Sequence, residues 1–490
     1  MSTTMTRRAL LRLGALGGSA LALAACAPKF IEVTKEVEKV VQQTVVVKEE
    51  VTKVVEKEKE VTKVVEKVVT VAPTAMPPAP KAAGTVRFLE RHSTAFGKVW
   101  DVAIGAFNKK YPDVKVERIQ PATDVDCGQQ KLVAMVAGGD PPDVYWTCWD
   151  WVALQRQGFF KNLTPIMEAE RFDIDKLYEP QWIQMWRQKD GDYGLPWDAF
   201  IFNLNYNKAI FDSKKLAYPS KDEAATWQEV LDMGKVLAEW KGNIPVTLGT
   251  QAWRPYWGMW WVWMVQAGYS LYNSDMTKVN LDQPEVWKIF DFFAEWGWKW
   301  KVEPTSAIQT DLPLNFDSGN IGTSIMAVCQ WSGTKELAKW PWDVSPFPQM
   351  SKASKPAVLG WCCPIVVLNK APNPDNAWRF LKEASGPEAY IAMYKAGMTM
   401  PTLSAHANPV HQAFKDCKPP DNNEHVIKWG RYMITDVPWN NGAWTTILPI
   451  VNDALGQVYL GKMSAQQAMT EVAVPQCNKA LKDLRAAGSI

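Results

Sequence analysis

The sequence predicts an α/β protein whose globular body follows an N-terminal export segment and a low-complexity stalk. Three observations predict it. From residue 84 onward, short apolar runs alternate with stretches of helical periodicity, the pattern of a βα-layered, mostly parallel sheet. The chain is 47% hydrophobic and 22% charged, the balance of a protein with an ordinary buried core. Its 26 tryptophans all lie at or beyond Trp100, which separates an aromatic-rich body from a different N-terminal region. At 490 residues there is room for two or three domains. Lys and Arg number 54 against 52 Asp and Glu, so net charge gives no basis for binding nucleic acid.

Residues 1–25 have the form of an export signal. Arg7, Arg8 and Arg12 lead into an apolar run over residues 13–25, shorter than the roughly 20 residues a membrane-spanning helix needs. The run closes on LALAAC, which resembles a bacterial lipobox and marks Cys26 for lipidation. TRRALLR at 6–12 also resembles a twin-arginine signal, and ordinary secretion fits the same residues. The expectation is a protein outside the cytoplasm, held to the cell membrane by a lipid anchor, where disulfides are permitted. Seven further cysteines follow: Cys127, Cys148, Cys329, Cys362, Cys363, Cys417 and Cys477. Their odd number leaves at least one without an intramolecular partner. Neither they nor His92, His406, His411 and His425 show metal-ligand spacing, so no metal and no cofactor is expected.

Residues 29–71 are almost only Val, Lys, Glu and Thr, and a Pro/Ala linker follows up to residue 83. Val33, Val40, Val47, Val54, Val61 and Val68 recur at sevens, with Val37, Thr44, Val51, Glu58 and Val65 interleaved. That is an a/d seam flanked by charge, and as one helix it would extend about 57 Å. Val and Thr form isolated helices poorly. The stalk is therefore either an oligomeric coiled coil joining copies of this chain or a solvated spacer.

In the body, residues 84–92 read as a first buried strand, and the helix after it carries Val99, Val102, Ile104 and Phe107 toward one face. Tyr111, Pro112 and Asp113 stop that helix before a second strand. GQQKLVAMVAGGDPPDVYW repeats the scheme, ending in a strand at 144–147. Thr226-x-x-Glu229, Asp282-x-x-Glu285 and Ser464-x-x-Gln467 have the form of capping boxes, and Asn373-Pro374 of a helix start.

FNKKYPDVKVE, QKLVAMVAGGDPPDVYW, YGLPWDAFIFNLNYNKAIFD, TWQEVLDMGKVL, NPDNAWRFLKEASGPEAY and GKMSAQQAM occur in this order. Together they resemble the family 1 extracellular solute-binding proteins of ABC importers, the group of maltose- and oligosaccharide-binding proteins. The resemblance runs from about residue 85 to the C-terminus. It implies a two-lobed, maltose-binding-like periplasmic-binding-protein fold of type II, with ligand in a cleft between the lobes. Mapped by those motifs, lobe one is 84–199 plus 346–399 and lobe two is 204–343 plus 400–490. The crossings would run through FIFNLNYN, near DVSPFPQM and near GMTMPTLS. The implied partners are a sugar or oligosaccharide and the permease subunits of an importer.

Aromatic faces bury the C–H patches of a sugar, and Asp, Asn and Arg satisfy its hydroxyls. Burying one aromatic-sized area contributes about 1.5–3 kcal/mol. By the resemblance, Trp146, Trp149 and Asp150 follow or end the strand at 144–147 on the cleft edge of lobe one, and Trp197 and Asp198 enter the first crossing. Trp331 and Trp444 match stacking tryptophans of lobe two, with Asn440 and Asn441 close to Trp444 in sequence. Trp361 begins a buried strand near the hinge. Trp296, Trp298, Trp300, Trp340 and Trp342 are not assigned to the ligand. An enzyme is not expected: Asp150 and Asp198 could form a carboxylate pair, but no nucleophile elbow, phosphate loop or metal motif is present.

QAWRPYWGMWWVWM at 251–264 divides in two. Trp257, Trp260, Trp261 and Met264 follow the spacing of an amphipathic helix with a core-facing stripe, and Trp263 falls off it. Upstream, Tyr256 matches a ligand-stacking aromatic of maltose-type relatives, with Trp253, Arg254 and Trp257 beside it. For the stalk, sedimentation of a peptide covering residues 27–83 is expected to show self-association if the valine seam is a coiled coil. A monomeric, unstructured peptide at high concentration identifies the spacer instead.

Overall fold

In the computed structural model, the chain divides after Pro77, and its second unit, Pro78–Ile490, is compact. The structure describes residues 83–91, 94–122, 127–147, 151–252, 258–305, 313–353, 355–404, 409–435, 442–488 and 490, all in the second unit. The stalk and export segment lie outside the described residues.

Among the described residues nine strands form the sheet: β1 Gly84–Leu89, β2 Val114–Ile119, β3 Val144–Trp146, β4 Gly194–Asn207, β5 Glu239–Lys241, β6 Ile244–Gln251, β7 Ile321–Ala327, β8 Trp342–Ser345 and β9 Gly360–Val367. Their order is β2-β1-β3-β9-β4-β7-β6-β5, with β8 on β4. The sheet is mixed rather than mostly parallel. The pairs β1–β2, β1–β3 and β6–β7 are parallel, and the pairs made by β4 and β9 are antiparallel. Helix–strand alternation predicted the parallel pairs correctly. It could not show that later segments return and insert β9 and β7 beside β4.

Strand β4 is the organising element. All 14 of its residues are buried. Its first half pairs with β9, from Gly194 opposite Val366 to Ile201 opposite Gly360. Its second half pairs with β7 from Phe202 opposite Ala327, and with β8 from Leu204 opposite Ser345. One continuous strand thus belongs to both halves of the sheet. The chain comes back beside it near Thr399, whose hydroxyl donates to the Ala199 carbonyl at 2.7 Å and accepts from the Ala199 amide at 2.9 Å. Gln349 is still bonded to Ala225 and Trp227 in the second half, and pairing with the first half of β4 begins at Gly360.

Helix starts follow local chemistry in most cases. Thr226 and Glu229 form the reciprocal capping box at the helix Trp227–Leu237. Ser464 accepts from the Gln467 amide at 3.2 Å, and Asn373 precedes Pro374 at the start of Pro374–Ala384. Asp282 does not cap: the helix Pro284–Trp298 starts from Gln283, because Pro284 takes its first position. On the helix Thr94–Lys110, Trp100 and Ala103 face the core with Val99 and Phe107, whereas Val102 is exposed. The helix Met259–Gln266 is buried nearly all round instead of along one stripe. Trp263, off the predicted stripe, stacks on Phe293 with ring centroids 3.4 Å apart. Trp227 donates to Gln266 at 2.8 Å, and Trp260 and Trp261 meet a different neighbour, Trp444, at 5.7 and 6.5 Å. Periodicity could not foresee this, because a helix walled on several sides has no solvent face to mark with polar residues. Among the described residues no helix is long and apolar enough to cross a membrane.

His425, buried on the helix Glu424–Gly430, places Nε2 3.0 Å from the side-chain amide of Asn203 on β4. Its Nδ1 faces the Asn422 carbonyl. Burial pushes its pKa down to about 4 from an ordinary 6.5, so the folded protein holds the neutral ring. The unfolded chain therefore binds the proton first as pH falls. The stability this imidazole contributes is complete above about pH 6.5 and is lost toward pH 4, a difference of about 3 kcal/mol at most. Urea midpoints measured from pH 7 to pH 4.5 are expected to fall steeply for the wild type. For His425→Gln they should start lower and fall less.

Candidate functional site

Topology places the site before any side chain is considered. β1 and β3 run in the direction of β4, and β6 and β7 run against it. Since β4 passes from the β9 side to the β7 side between Ile201 and Phe202, the carboxyl ends of both parallel pairs point at that passage. Ligands of open α/β sheets bind outside the carboxyl ends of strands. In sequence, 148–150 follow β3, 253–257 follow β6, and Trp331 lies shortly after β7.

At the β1–β3 end three polar and aromatic groups converge. Arg91, two residues past β1, has its guanidinium 4.8 Å from the centroid of the Trp146 ring and Nη1 4.0 Å from the Asp198 carboxylate. Asp198 is buried, on β4 opposite Cys363 of β9 and next to the register shift that follows Pro196. That irregularity leaves Trp197 as the extra residue, with none opposite it on β9. Burial, and then the Asp198 charge, push the thiols of Cys329 and Cys363 well up, with Arg91 opposing. Cys329 lies just beyond β7 and Cys363 on β9, so the Arg91–Asp198 pair is felt from both sides of β4. Arg91 was not among the residues singled out in the sequence. Its signal was the charged pair Glu90-Arg91 placed after the apolar strand end Phe88-Leu89.

Trp197 has a packing environment. Its ring stacks on Trp100 at 4.0 Å and 6°, meets Trp146 edge-on at 4.6 Å, and its N–H donates to the Ala384 carbonyl at 2.9 Å. Trp146 is buried in the same cluster, with Phe96 against it at 4.6 Å. Trp331 opens the helix Trp331–Leu337 and packs between Trp342 at 6.1 Å and Phe414 at 6.5 Å. Trp361 is buried on β9 opposite Phe200. Trp444 opens the helix Trp444–Tyr459 and lies over Trp260 at 5.7 Å. It also abuts Gly258, whose φ is 66° and where a Cβ would sit 2.6 Å from the indole. Only glycine meets both demands. Trp149, Asp150, Trp253, Arg254, Tyr256, Trp257, Asn440, Asn441 and the lipidation candidate Cys26 lie outside the described residues.

Cys127 is disulfide-bonded, with a partner outside the described residues, while Cys329, Cys362, Cys363, Cys417 and Cys477 are free thiols. The surface clefts lined by Gln155, Arg156 and Tyr193, or by Asp291, Trp298 and Gln467, include none of the residues named for the ligand. Because Trp197 is held on both faces and through its N–H, Trp197→Ala is expected to lower stability by about 3–5 kcal/mol. A denaturant titration checks it, and an unchanged midpoint would contradict the packing role.

The model of the bacterial extracellular solute-binding protein family matches residues 92–391. Among solved structures, an ABC substrate-binding protein of Listeria monocytogenes in complex with cycloalternan is 21% identical. That match covers 83% of this chain and all of that one, with a TM-score of 0.70. UgpB of Mycobacterium tuberculosis, in complex with glycerophosphocholine, is 16% identical over 84% of this chain and all of its own, with a TM-score of 0.68. A maltose-bound protein of T. maritima is 17% identical over 82% of this chain and all of its own, with a TM-score of 0.65. These likenesses show the two-lobed fold that a shared β4 and facing strand ends require. With more than half of its length matched by the family model, the chain belongs to the bacterial extracellular solute-binding proteins.

Proposed function

We propose that the chain captures a sugar or oligosaccharide at the passage crossed by β4 and delivers it to the permease subunits of an ABC importer. The observation that carries this is the meeting of the Arg91 guanidinium and the Asp198 carboxylate at strand ends that face the second half across β4, whereas Trp146 is committed to the core beneath them. A charge pair that can bond hydroxyls beside aromatic faces is the chemistry a sugar needs. Relatives of this fold hold cycloalternan and maltose. UgpB holds glycerophosphocholine, which makes a non-sugar solute the second reading to test. The family is one of binding proteins, and no chemical conversion is assigned to the chain.

The sequence motifs put the return to the first lobe at 346, and we place it at Gly360 instead, because Gln349 still bonds Ala225 and Trp227. Residues up to Ser404 stay with the first lobe, where Thr402 and Ser404 bond Glu179 and Leu177. Ligand binds one lobe and the other closes over it, driven by the contacts that both make with the same solute. Trp149, Asp150, Trp253, Arg254, Tyr256, Trp257, Trp331, Trp361, Asn441 and Trp444 complete the binding surface, with Arg91 added to Asp198 on the first lobe. Lipid on Cys26 anchors the protein outside the cytoplasm, and residues 26–83 tether the lobes to that anchor.

The test is intrinsic tryptophan fluorescence against mono- and oligosaccharides, with glycerophosphocholine as the non-sugar arm. A saturable change near micromolar concentration, equivalent to about −8 kcal/mol, is expected for a sugar. Because Trp331 and Trp444 are nearly fully buried, truncation to Ala would confound affinity with stability. Trp331→Phe and Trp444→Phe keep an apolar ring and are expected to weaken binding roughly tenfold, about 1.4 kcal/mol. Binding unchanged in both variants would remove them from the site, and saturation by glycerophosphocholine alone would replace the sugar reading.

A further inference from the structure

One corner of the second half carries exposed apolar rings and lysines that solute binding does not use. Val236, Ile244, Trp298 and Trp300 are four of the eight large hydrophobic residues that stand exposed among the described residues, and all four fall here. They come from three segments, the helix Trp227–Leu237, the β5–β6 hairpin and the end of the helix Pro284–Trp298, joined through Lys235–Trp300 and Trp240–Lys301. Trp298 ends the helix Pro284–Trp298 and lies over Gly461, where a Cβ would be 3.3 Å from its ring. Trp300 carries Lys235 at 4.1 Å and Lys299 at 5.1 Å. Trp240, on the edge strand β5, donates to the Lys301 carbonyl at 3.2 Å and has the Lys301 ammonium 5.8 Å from its ring. Lys241 pairs with Ile244 across the β5–β6 hairpin.

The charge here is positive. Asp232, Glu239 and Glu295 are already paired, with Lys235 at 3.1 Å, Lys214 at 2.6 Å and Lys299 at 2.8 Å. Asp291, in the cleft beside Trp298, accepts from the Ala465 amide at 2.9 Å. Lys241, Lys301 and Lys462 have no ion pair among the described residues, and they outnumber the one carboxylate here without a lysine partner, Asp291.

We propose that this corner rests on an anionic phospholipid surface. Indole rings prefer the headgroup level of a bilayer, where one part of the ring is apolar and the other wet. Lysines beside them are drawn to anionic lipid by about 1 kcal/mol each near the surface, and their stems lie along apolar surface while the ammonium stays in water. Contacts between proteins favour Arg and are depleted of Lys, and every basic residue of this patch is lysine. The patch therefore fits lipid better than a protein partner. It lies apart from the residues proposed to hold solute, so it stands whether the solute is a sugar or not.

The full chain, produced without lipid modification, is sedimented with vesicles of phosphatidylcholine alone and of phosphatidylcholine with one third phosphatidylglycerol. The wild type is expected to partition onto the anionic vesicles more than onto the neutral ones, and to be released by high salt. The Trp298→Ala/Trp300→Ala double variant should bind the anionic vesicles roughly tenfold more weakly. Lys241→Gln/Lys301→Gln should lose the preference for phosphatidylglycerol. Near-ultraviolet circular dichroism and an unchanged solute titration show that the variants are folded. Equal partition of both variants and wild type overturns the proposal. So does vesicle binding that is unchanged while the Trp variant fails to engage the importer, which would make the patch a protein contact.

Discussion

Strand β4 imposes the constraint that the remaining architecture has to satisfy. It is buried along its whole length, and no single sheet half provides hydrogen-bond partners for all of it. A buried backbone donor or acceptor left unpaired costs about 1–3 kcal/mol, so both halves must assemble on the same strand. β9 supplies partners to its first part, and β7 and β8 to its second. Asn203 and Asn205, buried on the same strand, extend the network by donating to the Ile201 and Asn203 carbonyls at 3.1 Å. The direction of β4 also fixes which ends of β1, β3, β6 and β7 face the passage. The place of the site follows from hydrogen bonding in the sheet rather than from any one side chain.

Tryptophan serves this architecture mainly as packing. In the first half, Trp100, Trp146 and Trp197 form one cluster with Phe88 and Phe96. In the second, Trp227, Trp263 and Trp296 surround Phe293. Large flat rings fill wide gaps between helices and sheet with little rotamer entropy to lose, and edge-to-face pairs add about 0.5–1.5 kcal/mol beyond burial. That use is why counting tryptophans overstates the number available to a ligand. Trp197 shows the difficulty: its neighbour Asp198 stays beside Arg91, while the indole turns into the core at the strand irregularity.

Elements with local causes were readable from the residues. The Thr226 capping box, the Asn373-Pro374 start, the strand at 144–146 and the helix over 94–110 depend on neighbours a few positions apart. The misreadings share one cause. Val102 fits the helical spacing but is exposed, Asp282 fits a capping box but yields to Pro284, and Trp263 breaks a stripe yet is buried. Each was decided by what packs against the element, which local spacing does not contain. Arg91 escaped notice for the same reason, since its meaning comes from Trp146 and Asp198, distant in sequence.

The residues alone determined the layered α/β class, the separate N-terminal region, the ordered motifs of the family and the helix starts at Thr226, Asn373 and Ser464, because these depend on composition and short-range spacing. Tertiary structure decided that β4 is shared, that the sheet is mixed, and that Trp197 packs while Asp198 faces Arg91. It also gathered Trp240, Trp298 and Trp300 with their lysines on one exposed corner. These outcomes rest on contacts between segments tens to hundreds of residues apart. No local pattern carries that information, because burial and hydrogen-bond pairing are properties of the assembled sheet.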